Sequence, residues 1–124
     1  ALQSHSTSNI NSIAQKAALA ALQGCANQDI ETMRLAFKER RDVACAALNE
    51  IPGLSALKPQ GAFYLWIQIP EQNSMQFCQK LLEEQGVALV PGVAFGVEGF
   101  VRMSYACSLE QIKAGIVRLK KFMA

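Results

Sequence analysis

Arg102 is the residue of this 124-residue chain whose type and surroundings point most directly to chemistry. It stands in the middle of a run that is otherwise suited to a buried strand, Phe100-Val101-Arg102-Met103-Ser104-Tyr105. A buried guanidinium is costly unless its charge is met, and its planar fork suits bidentate binding of a carboxylate. Alternation places Arg102 on one face with Phe100 and Ser104. These residues alone leave two interpretations open, an arginine on an exposed face and a ligand-binding arginine.

The second candidate is the loop that precedes this strand, Val90-Pro91-Gly92-Val93-Ala94-Phe95-Gly96. Two glycines and a proline around Phe95 predict an irregular loop beside the strand that carries Arg102. Taken alone, the loop is a turn. Neither the G-x-G-x-x-G pattern nor the P-loop pattern of phosphate-binding loops occurs in the sequence.

Lysines, histidine and cysteines offer weaker candidates. The seven lysines fall mostly on the polar sides of predicted helices, whereas a Schiff-base lysine needs an apolar, desolvating position. His5 stands in a polar segment, so we do not expect it to be catalytic. The four cysteines are widely spaced and lack a C-x-x-C pair, so we expect no metal site. They are better explained as small buried hydrophobic residues of a cytoplasmic protein.

Composition narrows the class of protein. About half of the residues are hydrophobic (51%), 18% are charged and the net charge is +2, as in an ordinary soluble domain. No basic run argues for nucleic acid or an anionic membrane, and no apolar stretch reaches the roughly 20 residues of a membrane span. The first residues lack the pattern of a signal peptide.

The first half of the chain is predicted to be mostly helical. The polar segment Gln3–Asn11 is expected to be a loop. A helix should begin at Ser12, where Gln15 suggests a capping box, and end at Gly24. A longer amphipathic helix is predicted from about Asp29 to Glu50.

The second half is predicted to supply the strands. Runs rich in aromatic and β-branched residues predict three of them, at 62–69, 87–90 and 100–105. One helix is expected from Asn73 or Ser74 to Gly86, and another after Ser108, which forms a capping box with Gln111. The order predicts an α+β fold, a small three-stranded, mostly antiparallel sheet packed with helices. Its second face would then need a partner or open onto a cleft.

Five motifs in register resemble aspartate aminotransferases, members of the class I, fold-type I aminotransferases. The segments are Gln3-Ser4-His5-Ser6-Thr7-Ser8-Asn9, Ser12-Ile13-Ala14-Gln15, Gly61-Ala62-Phe63-Tyr64, Val90-Pro91-Gly92-Val93-Ala94-Phe95-Gly96 and Val101-Arg102-Met103-Ser104-Tyr105-Ala106. The resemblance covers essentially the whole chain and is to the C-terminal part of those enzymes. It implies a connecting segment at 1–25 and the C-terminal small domain of the enzyme at 26–124.

The resemblance assigns roles to particular residues. It implies that Arg102 binds the α-carboxylate of the amino-acid substrate. Phe95, on a loop that moves in the family, is interpreted either as a residue that lines and shields the same site or as a core residue. Ser8 and Asn9 match a segment near the cofactor of the neighbouring subunit. Gly61–Tyr64 is interpreted as strand core and not as site.

The resemblance also implies the activity of a longer protein. It implies pyridoxal 5′-phosphate as cofactor, a homodimer, and transfer of an amino group from L-aspartate or a related amino acid to 2-oxoglutarate. The cofactor lysine of the family lies upstream of the matched part, so we expect no catalytic residue and no bound cofactor in this chain, and no activity from it alone. The first residues, Ala1-Leu2-Gln3, read as the middle of a segment.

Two other functions are compatible with the pattern. A free-standing α+β module that binds amino acids for regulation would fold and bind a carboxylate without a cofactor. A dimerising scaffold without a ligand would not need a solitary arginine in an apolar strand. The aminotransferase domain and the free-standing module would both bind a carboxylate. They differ because the first is part of a longer protein and the second is a whole protein.

Overall fold

The computed structural model describes residues 2–6 and 8–124 of the chain. The chain divides into two compact units, Ala1–Leu35 and Ala36–Ala124. The second unit contains the four-stranded sheet and therefore Arg102.

The first unit is mostly helical, with residues 8–11 outside any helix or strand. Helix α1 is Leu2–Ser6 and helix α2 is Ser12–Leu22, while helix α3, Asn27–Asn49, begins here and continues into the second unit. The prediction of a loop over Gln3–Asn11 is therefore wrong where α1 forms. Polar side chains that compete for backbone hydrogen bonds weaken a short helix without excluding it. Thr7, part of the same prediction, lies outside the described residues.

Helix α2 begins where the sequence predicts, but its cap differs. Asn11 is the N-cap, and its side-chain oxygen accepts a hydrogen bond from the Ala14 N–H at 2.8 Å. Gln15 reaches back to donate to the carbonyl of Ile10 at 2.7 Å. The predicted capping box from Ser12 is wrong, because asparagine one residue earlier caps the helix equally well.

The sheet has the strand order β1-β2-β4-β3, and each neighbouring pair is antiparallel. The strands are β1 (Ser55–Ala56), β2 (Tyr64–Gln68), β3 (Val90–Pro91) and β4 (Phe100–Ser104). The prediction of a small antiparallel sheet is confirmed, with one strand more than expected. Strand β1 has only two residues and no pattern of its own. Asn49 holds it, because its side chain bonds both the N–H and the carbonyl of Ala56.

Strand β3 is shorter than predicted. The sequence indicates a strand over 87–90, whereas the structure pairs only Val90 and Pro91 with β4. Pro91 is tolerated there because β3 is an edge strand, where a missing N–H donor costs little. Residues 87–89 precede the strand without joining the ladder.

Helices cover one face of the sheet. Helix α4 (Ser74–Gln85) and helix α5 (Leu109–Phe122) contribute buried side chains to a core that includes Leu65, Ile67, Val101 and Met103 from the two central strands. Both helix starts agree with the sequence. Asn73 caps α4, and Ser108 with Gln111 forms the predicted capping box of α5.

The cysteines only partly follow the expectation of burial. Cys45 and Cys78 are buried, Cys107 is half-buried and Cys25 is exposed, so the expectation is wrong for Cys25. Burial raises the pKa of the Cys78 thiol to about 11. In the described ranges, 2–6 and 8–124, no helix is both long and apolar enough to span a membrane.

Candidate functional site

Arg102 lies on the face of the sheet opposite the core. It pairs in register with Trp66 of β2 on one side and Val90 of β3 on the other, at the centre of the sheet. Its neighbours in β4, Val101 and Met103, point into the core and are buried. Arg102 is half-buried on the opposite face, as strand alternation predicts. We call this surface the open face; its central residues are Tyr64, Trp66, Phe100 and Arg102.

The Arg102 guanidinium rests against two aromatic rings. Its Cζ atom lies 4.2 Å from the centroid of the Tyr64 ring and 4.6 Å from that of Phe95. The two rings come from different places in the chain, Tyr64 from β2 and Phe95 from the turn before β4. A cation over an aromatic face is attracted by the ring quadrupole and loses contact with water on that side.

The fork of Arg102 meets no counter-charge among residues 2–6 and 8–124. Its Nε atom is buried and has no hydrogen-bond partner among the described residues, whose ion pairs involve Arg34, Arg41 and Lys58 instead. Arg41 shows the alternative, since it bonds the carboxylate of Asp42 and the carbonyl of Pro59. A buried, unpaired donor costs about 1–3 kcal/mol. Arg102 is therefore able to accept an anion that the described residues do not supply.

The loop before β4 is a 3₁₀ turn, Gly92–Phe95, closed by Gly96 with a φ of 79°. Gly92 is required there because a Cβ atom would collide with the carbonyl oxygens of Val97 and Phe100. The turn thus lies tightly against its own continuation into β4.

A hydrogen-bonded network ties this turn to the start of α4. The buried Ser74 hydroxyl accepts a bond from the Val93 N–H at 3.1 Å, and the Ser74 N–H donates to the Glu98 carboxylate at 2.8 Å. Hydrogen bonds from the Ser74 side chain and backbone lower the pKa of Glu98. The sequence gives no signal for this network, because its bonds join positions 19 and 24 residues apart.

Phe95 completes the open face. Its ring meets Trp66 edge-on at 5.6 Å and also lies under Arg102, while 47% of the residue remains exposed. The structure thus brings together Arg102 and Phe95, which sequence reasoning named. It adds Tyr64, which was interpreted as strand core. Alternation along β2 separates Tyr64 from Leu65 and Ile67, and this is the signal that could have identified it.

The other candidate residues lie apart from the open face or outside the second unit. Ser8, with a φ of 61°, and Asn9 belong to the first unit, and their roles stay predictions. The seven lysines are all exposed, and Lys58 pairs with Asp42 at 2.9 Å. Across residues 2–6 and 8–124, no group of three or more His, Cys, Asp or Glu side chains is placed to hold a metal ion.

A second concavity lies elsewhere in the same unit. A cavity of about 160 Å³ is bordered by residues 87–89, the end of β4 and one side of α5, including Met103, Cys107 and Ile112. Its lining contains no charged side chain. It lacks the combination of charge and aromatic contact that marks the open face.

Comparison with known proteins identifies the family of the chain. The family model for aminotransferase class I and II matches residues 1–119. The aspartate aminotransferase of Geobacillus stearothermophilus is 46% identical over 129 residues, which cover 98% of this chain and 33% of that protein.

Two solved structures superimpose on nearly the whole chain. The crystal structure of aspartate aminotransferase from Thermotoga maritima gives a TM-score of 0.87 at 43% identity, covering 98% of this chain and 31% of that one. The aromatic aminotransferase from Pyrococcus horikoshii gives 0.88 at 35% identity, covering 98% and 34%.

This chain belongs to the class I and II aminotransferases. It spans about a third of the length of the curated relatives that it matches. The α+β architecture predicted from the order of helices and strands is thus confirmed by both the sheet and the structural relatives.

Proposed function

We propose that this chain is the substrate-clamping small domain of a longer aminotransferase, and that Arg102 binds the α-carboxylate of the amino-acid substrate. The observation that supports this most directly is the guanidinium at the centre of the open face, with a buried Nε atom that no described residue pairs. The family membership supplies the reaction class. In this proposal, residues 1–25 connect to the remainder of the enzyme and 26–124 form the small domain.

The reaction proposed for the longer protein transfers an amino group from L-aspartate, or a related amino acid, to 2-oxoglutarate. The names of two relatives, aspartate aminotransferase and aspartate/prephenate aminotransferase, support aspartate as the donor. The aromatic aminotransferase among the structural relatives shows that a similar small domain also serves another substrate class. Arg102 would recognise the carboxylate that these substrates share, so specificity for the side chain must come from other groups.

We propose that pyridoxal 5′-phosphate, the cofactor of the longer protein, is anchored by a lysine outside this chain. An aldehyde-binding lysine needs an enclosed apolar position, and every lysine here is exposed. When bound to the remainder of the enzyme, the cofactor would supply the electron sink for the transfer. Ser8 and Asn9 are proposed to approach it from the neighbouring subunit of a cytoplasmic homodimer. By itself, the chain is proposed to be inactive.

The contribution of this chain is to position the substrate. A guanidinium offers two parallel N–H donors to a carboxylate, and such charge-assisted pairs fix orientation as well as distance. The rings of Tyr64 and Phe95 exclude water from the faces of the guanidinium, which strengthens its attraction for an anion. Holding the substrate in one orientation lowers the entropic part of the barrier.

The test is the substitution Arg102→Lys in the full-length protein that carries this chain. Lysine keeps the charge but loses the planar fork, so kcat/KM for L-aspartate should fall by about 100-fold or more, with a raised KM. The cofactor absorbance should be retained, because no cofactor contact is assigned to Arg102. Steady-state kinetics and the absorption spectrum measure both quantities.

Arg41→Lys is the matched control. Arg41 is also half-buried, but its fork is already used by Asp42 and Pro59, so its replacement should alter stability and leave KM near the wild-type value. Wild-type kinetics for Arg102→Lys would refute the carboxylate role.

The native mass of the protein from its source separates this proposal from a free-standing amino-acid-binding module. A mass near three times the 13.5 kDa of this chain, together with aspartate-dependent bleaching of a cofactor band, would support the enzyme. A mass near 13.5 kDa with carboxylate binding would support the module.

A further inference from the structure

Tyr64 is the residue of the open face with the shortest measured approach to the Arg102 guanidinium. The distance from Cζ to the ring centroid is 4.2 Å. Along the sheet, Tyr64 pairs with Ser104, two residues beyond Arg102 and on the same face. Side chains in such diagonal positions of an antiparallel pair are within reach of each other when they are long or aromatic. The sheet register therefore determines this contact.

Within the described part of the chain, no hydrogen bond fixes the orientation of the Arg102 fork. Its Nε atom has no partner among the described residues, in contrast to the arginine forks that pair with Glu31 and Asp42 elsewhere. A free arginine side chain has several rotatable bonds and about 2 kcal/mol of rotamer entropy. What restrains the guanidinium is its contact with two rings, one of which stands on a strand and one on a turn.

The backbone that carries the Tyr64 ring is firmly held. The carbonyl of Phe63 accepts a bond from the Tyr105 N–H at 2.9 Å, which continues the β2–β4 ladder by one residue. The buried Tyr105 hydroxyl donates to the carbonyl of Ala62 at 2.8 Å. These bonds fix the entry to β2, including the unusual φ of 59° at Ala62. Tyr64 is thus a fixed support, whereas Phe95 stands on a half-exposed turn.

We infer that Tyr64 is a positioning residue for the substrate carboxylate and acts through Arg102. This inference rests on the proposed function, since it requires that Arg102 bind the carboxylate. The Tyr64 ring holds the guanidinium in one orientation before the ligand binds. Binding of the carboxylate therefore costs less side-chain entropy. No described hydrogen bond of the Tyr64 hydroxyl contributes to this contact, so the ring is the part that matters.

The test uses the full-length protein with the variants Tyr64→Leu, Tyr64→Phe and Arg102→Met. Tyr64→Leu removes the ring and should raise the KM for L-aspartate by roughly 2- to 30-fold, the range of one cation–π contact. Tyr64→Phe keeps the ring and should restore the wild-type KM. Tyr64→Val, which suits a strand, replaces Tyr64→Leu if that variant fails to fold.

Phe37→Leu is the matched control. Phe37 lies in α3, away from the open face, and its ring carries another arginine, with the Cζ atom of Arg40 5.3 Å from the ring centroid. Truncating it removes a cation–π contact of the same kind, so a general loss of stability would raise the KM in this variant as well. We expect a KM close to that of the wild type.

A double-mutant cycle distinguishes positioning from a separate effect of Tyr64. If Tyr64 acts through Arg102, Tyr64→Leu should cause no further loss in the Arg102→Met background. An undiminished loss in that background would overturn the inference, as would a Tyr64→Leu variant with wild-type KM when Arg102→Met is impaired. An unimpaired Arg102→Met would instead overturn the proposed function and the Tyr64 inference with it.

Discussion

The two faces of the sheet are built from the same two strands, and they differ in almost every physical property. On the core face, Leu65, Ile67, Val101 and Met103 are at most 9% exposed and pack beneath α4 and α5. On the open face, Tyr64, Trp66, Phe100 and Arg102 are half-buried and contact one another and Phe95. One face is covered by the chain itself, whereas the other presents a cation whose partner is not among the described residues.

This difference separates the residues that stabilise the fold from those that serve a ligand. Removing apolar surface from water is the main favourable contribution to folding, and here it is concentrated on the core face. The open face instead retains a buried Nε atom without a partner, which opposes folding. Local violations of this kind are expected at functional sites. Substitutions on the two faces should therefore affect different measurements.

The largest effect on stability should come from the core face. Leu65 is 0% exposed, so Leu65→Ala should lower the free energy of unfolding by about 2–5 kcal/mol through lost burial and a residual cavity. Gln68→Ala, exposed on the same strand, is the control and should change it by less than about 0.5 kcal/mol. Urea unfolding followed by circular dichroism measures both. If both variants lost the same free energy of unfolding, the conclusion that the core face carries most of the stability would be wrong.

A smaller effect is expected at the centre of the open face. Arg102→Met removes the unpaired Nε donor and also the contacts with Tyr64 and Phe95, two changes of opposite sign. The free energy of unfolding should thus change by no more than about 1 kcal/mol, although the residue lies mid-strand. Urea unfolding of Arg102→Met beside the wild type measures this. A loss above about 2 kcal/mol would mean that Arg102 is primarily structural.

The division between the faces was largely readable from the sequence. Alternation in β2 and β4 separates Leu65 and Ile67 from Tyr64, and Arg102 from its two neighbours, because side chains in a strand repeat every two residues. Helix starts at Asn73 and Ser108 were also readable, because capping is a local interaction.

Contacts between distant segments could not be predicted from the sequence. Strand β1 depends on Asn49, seven residues before its partner Ala56, and the Tyr64 contact with Arg102 depends on the register between β2 and β4. Register is set by the packing of whole strands and is absent from any short pattern. The sequence therefore indicated Arg102 and Phe95 as candidates without showing that Tyr64 supports one of them.

The smallest effect on the free energy of unfolding should come from the hydrogen bonds that connect the turn of the open face to helix α4. Glu98 binds the first residue of α4, Ser74, whose hydroxyl also holds the turn that carries Phe95. These hydrogen bonds lower the pKa of Glu98 in the folded chain, so their stabilisation is fully present above the unfolded pKa. It is lost as the pH falls through the lower folded pKa, because the protonated carboxyl accepts the bonds less well.

The substitution Glu98→Gln isolates this link. At neutral pH the wild type should be more stable than Glu98→Gln. The difference in the free energy of unfolding should shrink as the pH falls below 4.5, the ordinary pKa of glutamate. Urea unfolding at a series of pH values measures the difference, and Glu84→Gln on the exposed side of α4 controls for the loss of one negative charge. A difference that stays constant down to the lowest pH would show that the Glu98 carboxylate does not hold the turn. In that case Ser74 alone would join the Phe95 turn to the helix layer, and the open face would depend less on the start of α4 than its geometry indicates.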